Sequence, residues 1–204
     1  MKIKVKIILS SILLLVSSSL FAASWESASV EIEKSIQQML LKVKPYKGKV
    51  DADLEPLYAD LAQITDQKVD FKYLAKSVMG KHYRMANDTQ KKDFQSIFKR
   101  TLIKTYAKSM VGFDIESFEL VKPRAPSPKP NKQIVVVKVT STSGTDYNLV
   151  NYMVLKEGTW KLVNIVLDGF NLRVTFKNQF NSIAQNNNTD LSKTIDEWSV
   201  IMGK

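Results

Sequence analysis

Apolar positions in this chain follow a helical period, then a strand period, then a helical period again. Over residues 29–44 the apolar side chains Val30, Ile36, Met39, Leu40 and Val43 fall on one helical face, and Pro45 ends the segment. A short helix is predicted over 54–64, since Pro56 is tolerated in a first turn. Asp70 caps a third, which carries Phe71, Leu74, Ala75 and Val78 at helical spacing and stops at Gly80. The longest predicted helix runs from about 89 to 110. Its apolar stripe is Phe94, Phe98, Leu102, Tyr106 and Met110, with Asn87 and Gln90 placed to form its capping box.

Past Gly112 the period changes to two. Residues 115–122, 133–140, 147–155 and 160–167 are rich in β-branched and aromatic side chains, and Gly144 and Gly158 mark tight turns. The connection 123–130 holds four prolines and is neither helix nor central strand. Helices resume over 174–184 and 191–202. The predicted class is α+β: a twisted antiparallel sheet of about four strands packed with several helices.

The strands are apolar at both parities, where a sheet covered on one side would alternate. Val150, Tyr152 and Val154 form one row, and Leu149, Met153 and Leu155 another. Val163, Ile165 and Leu167 oppose Trp160, Leu162 and Val166. Two arrangements satisfy this pattern. Helices cover both faces, or part of the surface lines an apolar cavity.

The N-terminus adds a compartment. Lys2, Lys4 and Lys6, an apolar run over 7–16 and the small residues Ala22, Ala23 and Ser24 have the layout of a secretory signal peptide, predicted over 1–23. A single domain is then expected over 24–204. The chain has no cysteine, which excludes disulfides and a lipidated cysteine, so stability rests on the core. Loss of the three leader lysines takes the formal charge from +10 to +7. That balance favours anionic partners, and export argues against nucleic acid. The basic clusters Lys122, Arg124, Lys129 and Lys132, and Lys91, Lys92 and Lys99, are candidate docking groups.

Catalytic patterns are sparse. His82 is the one histidine, and no Gly-x-Ser-x-Gly elbow accompanies it. There is no glycine-rich phosphate loop. Asp51, Asp53 and Glu55 lack the glycine and distal acid of a calcium loop. No enzyme, cofactor or metal site is expected. A hydrolase built on His82 is the contrary reading.

Two ordered blocks carry a family resemblance. The first is the strand-turn-strand-helix stretch 150–183, with Trp160-Lys161 opening its second strand and Asp168-Gly-Phe-Asn-Leu172 closing it. The second is Phe71-Lys-Tyr-Leu-Ala75, Gly80, Thr89-Gln90, Phe94, Phe98 and Thr105-Tyr-Ala107. Together they resemble the MlaC family, the toluene-tolerance group of periplasmic phospholipid carriers, over about residues 30–186. Asn164 departs from an expected acid, and Phe170-Asn171 from Val-Ser.

The resemblance favours the cavity arrangement and implies a monomeric periplasmic phospholipid carrier with a deep apolar slot between sheet and helices. It implies exchange with an outer-membrane lipoprotein/porin complex and an inner-membrane ABC transporter complex with its periplasmic substrate-binding subunit, which would maintain outer-membrane lipid asymmetry. Expected tail contacts are the row Val150, Tyr152, Val154, Val163, Ile165 and Leu167, with Phe118, and Leu74, Val78, Leu102 and Tyr106 from the helices. Tyr106 and Tyr152 stand out because a phenol can bond a head group or ester. A different apolar cargo, such as an isoprenoid, is the alternative.

Overall fold

The computed structural model describes residues 23–49 and 53–202. The predicted signal segment lies outside the described residues apart from its last position, and so does Asp51. Six α-helices flank one antiparallel sheet: α1 (Trp25–Val43), α2 (Glu55–Asp66), α3 (Phe71–Met79), α4 (Asp88–Gly112), α5 (Leu172–Asn186) and α6 (Leu191–Met202). The strands β1 (Ile115–Val121), β2 (Lys132–Ser141), β3 (Asp146–Lys156), β4 (Thr159–Leu167) and β5 (Phe170–Asn171) pair in sequence order. The two-residue β5 is an addition to the four strands expected. It forms where Asp168 and Gly169 take positive φ and turn the chain back onto Val166 and Leu167.

Capping chemistry fixes where the helices begin. The Asn87 side chain accepts the Gln90 N–H at 2.8 Å while Gln90 Oε1 accepts the Asn87 N–H at 3.0 Å, closing the predicted capping box. Helix α1 starts four residues before the predicted 29. Ser24 and Ser27 cap it reciprocally, a signal that hydrophobic spacing does not carry.

Three apolar clusters divide the interior. The first joins α3, the N-terminal half of α4, α5 and α6 around Phe94, Phe98, Phe180 and Trp198. Phe94 meets Phe180 edge-on at 4.7 Å and Trp198 at 5.5 Å. The second joins Ala28 and Ile32 of α1 to Val135, Val137, Met153 and Trp160 of the sheet. The third joins the end of α1, α2 and the C-terminal half of α4 around Val43, Leu57, Leu61, Ile103 and Ala107. Helix α4 therefore touches two clusters. Ile103 and Ala107 bury in the third cluster, and Leu102, Tyr106 and Met110 of the predicted stripe are half-buried.

The α3 end of the helical layer is tied to β4. Asp70 donates its N–H to Leu162 O at 3.0 Å, and Leu162 returns its own to Lys68 O at 2.7 Å. The Asp70 carboxylate accepts the Tyr73 N–H at 2.9 Å and an ion pair from Lys156. Burial pushes this carboxyl up. The Lys156 and Tyr73 hydrogen bonds and the charges of Lys156 and Lys161 outweigh burial and hold it below its ordinary range.

Two outcomes follow. Phe94→Ala opens a hole among three aromatic rings and is expected to cost about 3–5 kcal/mol in urea unfolding. Asp70 is more acidic folded than unfolded, so its contribution is complete above the ordinary carboxylate range and fades as pH falls through the folded value. Asp70→Asn keeps the cap and removes the charge. It should cost roughly 0.5–1 kcal/mol at pH 7, and urea titrations should show that gap closing toward pH 2.

Candidate functional site

The register of β3 and β4 decides which apolar side chains share a surface. From the Glu157–Gly158 turn, where both residues have positive φ, Leu155 pairs with Trp160 and Val154 with Lys161. Continued unbroken, that register would set Tyr152 opposite Val163 and Val150 opposite Ile165, the single row the sequence suggests. The ladder instead skips at Val163: Met153 pairs with Leu162 and Tyr152 with Asn164, so Val163 is a β-bulge. One extra residue flips everything beyond it. Val150 faces Val166, while Ile165 and Leu167 sit opposite Asn151 and Leu149 on the other side of the sheet. The six-residue row is thereby corrected into two groups on opposite faces.

The face carrying Ile165 and Leu167 is the one that α1 covers. Register places Phe118, Val139 and Tyr147 side by side there, and Leu120, Val137 and Leu149 in the next row. Val135 and Val137 are fully buried beneath α1, and the Trp160 indole N–H donates to Ser27 Oγ at 3.0 Å, clamping the helix start to β4. Around this nucleus Phe118, Leu120, Val139, Leu149, Leu155 and Leu162 are only half-buried. The Asn151 amide, buried in this face, donates to Val135 O and Leu149 O, both at 3.2 Å.

The chain just past α4 approaches the same face. Beyond Tyr106 the stripe reaches Phe113, whose ring meets Tyr147 edge-on at 5.1 Å. Leu102 packs against the aromatic helical cluster, and Tyr106, one turn on, is half-buried. Burial holds the Tyr106 phenol above its ordinary range, so it stays protonated at any physiological pH and keeps an O–H to donate. Register places three predicted contacts on this side of the sheet: Phe118, Ile165 and Leu167. Leu74 and Val78 do not join them, because they pack inside the helical cluster with Phe94 and Trp198. Tyr147 and Phe113 were missed by sequence reasoning. Alternation from Tyr147 through Leu149 was the signal available.

The opposite face bears a ladder, Val121–Val136–Val150–Val166, in register across four strands. Beside it Ile134 and Tyr152 are exposed. Val154 has Lys132 and Lys161 as its cross-strand neighbours.

Two open clefts accompany the sheet, and neither is the deep apolar slot that was expected. One, of about 790 Å³, surrounds the tip of the β3–β4 hairpin and is lined by Lys72, Lys92, Lys99, Lys156 and Lys161 with Asp66 and Asp70. The other, of about 570 Å³, lies between α3 and α4.

His82 is buried, with Nε2 3.1 Å from Asn181 Oδ1, its ring against Phe180 and no hydrogen-bond partner at Nδ1 among the described residues, where a hydrolytic triad needs an acid. Among the described residues no group of three or more His, Cys, Asp or Glu is placed to hold a metal ion, and no helix is long and apolar enough to cross a membrane.

Comparison with known proteins points one way. Residues 33–200 match the family model of the MlaC protein. The toluene tolerance protein ttg2D of Pseudomonas putida is 27% identical over 189 residues, which cover 92% of this chain and 87% of that protein. A phospholipid-binding protein from Ralstonia solanacearum, solved in complex with a phospholipid, has the same fold. Its TM-score is 0.73 at 22% identity, covering 87% of this chain and 99% of that one.

The bulge yields a paired test. Val154→Asp places a carboxylate between two lysines and should melt within a few degrees of the unaltered protein. Ile165→Glu buries an unpaired carboxylate on the α1 side and should cost about 2–5 kcal/mol. Thermal melts followed by circular dichroism separate the two.

Proposed function

Because the chain belongs to the MlaC family, we propose that it is a periplasmic carrier of glycerophospholipid, exchanging its cargo between outer- and inner-membrane complexes. The observation that carries this reading is the half-buried apolar surface shared by the sheet and α1. Moving a two-tailed lipid through water exposes about thirty methylenes, which at about 0.8 kcal/mol each costs on the order of 24 kcal/mol. A carrier must therefore enclose both tails.

Of the two sheet faces, the one beneath α1 has helices available to close over a chain. Tail contacts are accordingly assigned to Phe118, Ile165 and Leu167 of the sheet and to Leu102 and Tyr106 of α4. The Tyr106 O–H supplies a hydrogen bond to an ester or phosphate oxygen. Val150, Tyr152 and Val154 stand on the outward face and leave the tail set, as do Leu74 and Val78 in the helical core. Loading then requires α1 to move off the sheet, because the described conformation packs Val135 and Val137 fully under α1.

The predicted leader places this work in the periplasm. The membrane partners are the classes that the family resemblance implies: an outer-membrane lipoprotein/porin complex and an inner-membrane ABC transporter with its substrate-binding subunit.

Protein purified from its own periplasm without detergent is expected to carry about one phospholipid per chain by native mass spectrometry. Delipidation should lower the melting temperature by several degrees, since a ligand bound only to the folded state stabilises it. A folded preparation with only the bare polypeptide mass would contradict the reading. A different apolar mass, such as an isoprenoid, would redirect it.

A further inference from the structure

The smaller cleft, between α3 and α4, has a chemistry that the carrier function does not use. Its walls present Lys76, Arg84 and Lys91, two phenols (Tyr73 and Tyr83) and the Ser77 hydroxyl, with no carboxylate in the lining. Lys76 and Lys91 are both held over the Tyr83 ring, at 5.5 and 5.3 Å from its centroid. Arg173 donates to the Tyr73 hydroxyl at 2.8 Å and stands 5.9 Å from that ring.

At the base of the cleft Gly80 has φ +55, and a Cβ there would lie 3.1 Å from Cε of Lys177. Glycine therefore lets the Lys177 stem pass close over the backbone beside the cleft. Asp88 sits 3.3 Å from Lys91, but Lys76, Arg84, Arg173 and Lys177 have no ion-pair partner among the described residues. Elsewhere on the surface Lys42, Lys99, Lys104, Lys138 and Lys156 each have a carboxylate partner. Lys72, Lys92, Arg124 and Lys129 also lack an ion-pair partner among the described residues; this cleft differs in lining three cations with no carboxylate.

We propose that this cleft is a binding site for a phosphate group, either free phosphate or the head group of an anionic phospholipid. Cations directed from α3, the segment after it, α4 and α5 suit a compact anion with several acceptor oxygens, and the Arg84 fork and Ser77 hydroxyl add directional donors. A volume of about 570 Å³ admits a substituted phosphate as well as the bare ion. The site lies on the outer side of α3, away from the α1 face of the sheet, so it stands whatever the tail slot carries.

The test uses the whole mature chain at low salt. Inorganic phosphate is titrated by calorimetry, and flotation is measured with vesicles of phosphatidylglycerol mixed into phosphatidylcholine and with phosphatidylcholine alone. Lys76→Glu with Arg84→Glu, both at exposed positions, should weaken binding by roughly tenfold or more. The charge-matched control Lys34→Glu with Lys44→Glu should change it by less than about twofold, because distant exposed charges are screened. Circular dichroism checks that both variants fold. Phosphate binding alone identifies the free ion, and selective flotation with phosphatidylglycerol identifies the head group. No binding of either probe, or equal weakening by the two variants, overturns the site.

Discussion

A single extra residue in β4 governs how this protein sorts its apolar surface. Val163 interrupts the β3–β4 ladder, and because strand side chains alternate, every position beyond it changes face. Ile165 and Leu167 turn toward α1, while Val166 joins a valine ladder on the outward face. Without the bulge, Val150, Tyr152 and Ile165 would share one side and Asn164 the other. Which β4 side chains face α1, and hence the surface available to a hydrophobic cargo, depends on that slip.

The clusters around the sheet divide the work. The aromatic cluster of Phe94, Phe98, Phe180 and Trp198 is fully buried and belongs to the helices alone. It supplies a core independent of whatever happens at the sheet. The α1–sheet cluster is looser, with a buried nucleus ringed by half-buried Phe118, Leu149 and Leu162. A carrier needs this asymmetry: a region that stays folded while another exchanges protein–protein contacts for protein–lipid contacts. Helix α4 carries Phe94 and Phe98 in the aromatic cluster and Ile103 and Ala107 in the third, so α1 can lift from the sheet while Phe94 and Phe98 stay anchored.

Most of the fold was legible because its signals are local. The capping box of α4, the Asp70 cap, the Gly80 stop and the switch from helical to strand period at Gly112 each act within a few residues. The candidate site was legible only in part. Register puts Phe118 on the α1 face with Ile165 and Leu167, while Leu102 packs with the helical cluster. The row Val150–Leu167 failed because a bulge has no marker in Val163-Asn164, both ordinary strand residues here. Leu74 and Val78 were apolar for a different reason, since helical spacing does not distinguish a face packed on other helices from one turned to a cargo. The charged clefts were illegible for the same reason: Lys76, Arg84, Lys91 and Lys177 are scattered in sequence and assemble through α3–α4 and α3–α5 packing.

The central claim is that acyl chains lie between the sheet and α1, on the face set by the bulge. A phospholipid carrying a photoactivatable diazirine in its acyl chain tests this directly, with crosslinked peptides mapped by mass spectrometry. The account predicts crosslinks to Phe118, Ile165 and Leu167 of the sheet and to Leu102 and Tyr106 of α4, with none to Val150, Tyr152 or Val154. Crosslinks concentrated on Val150, Tyr152 and Val154 would place the cargo on the open face and contradict it.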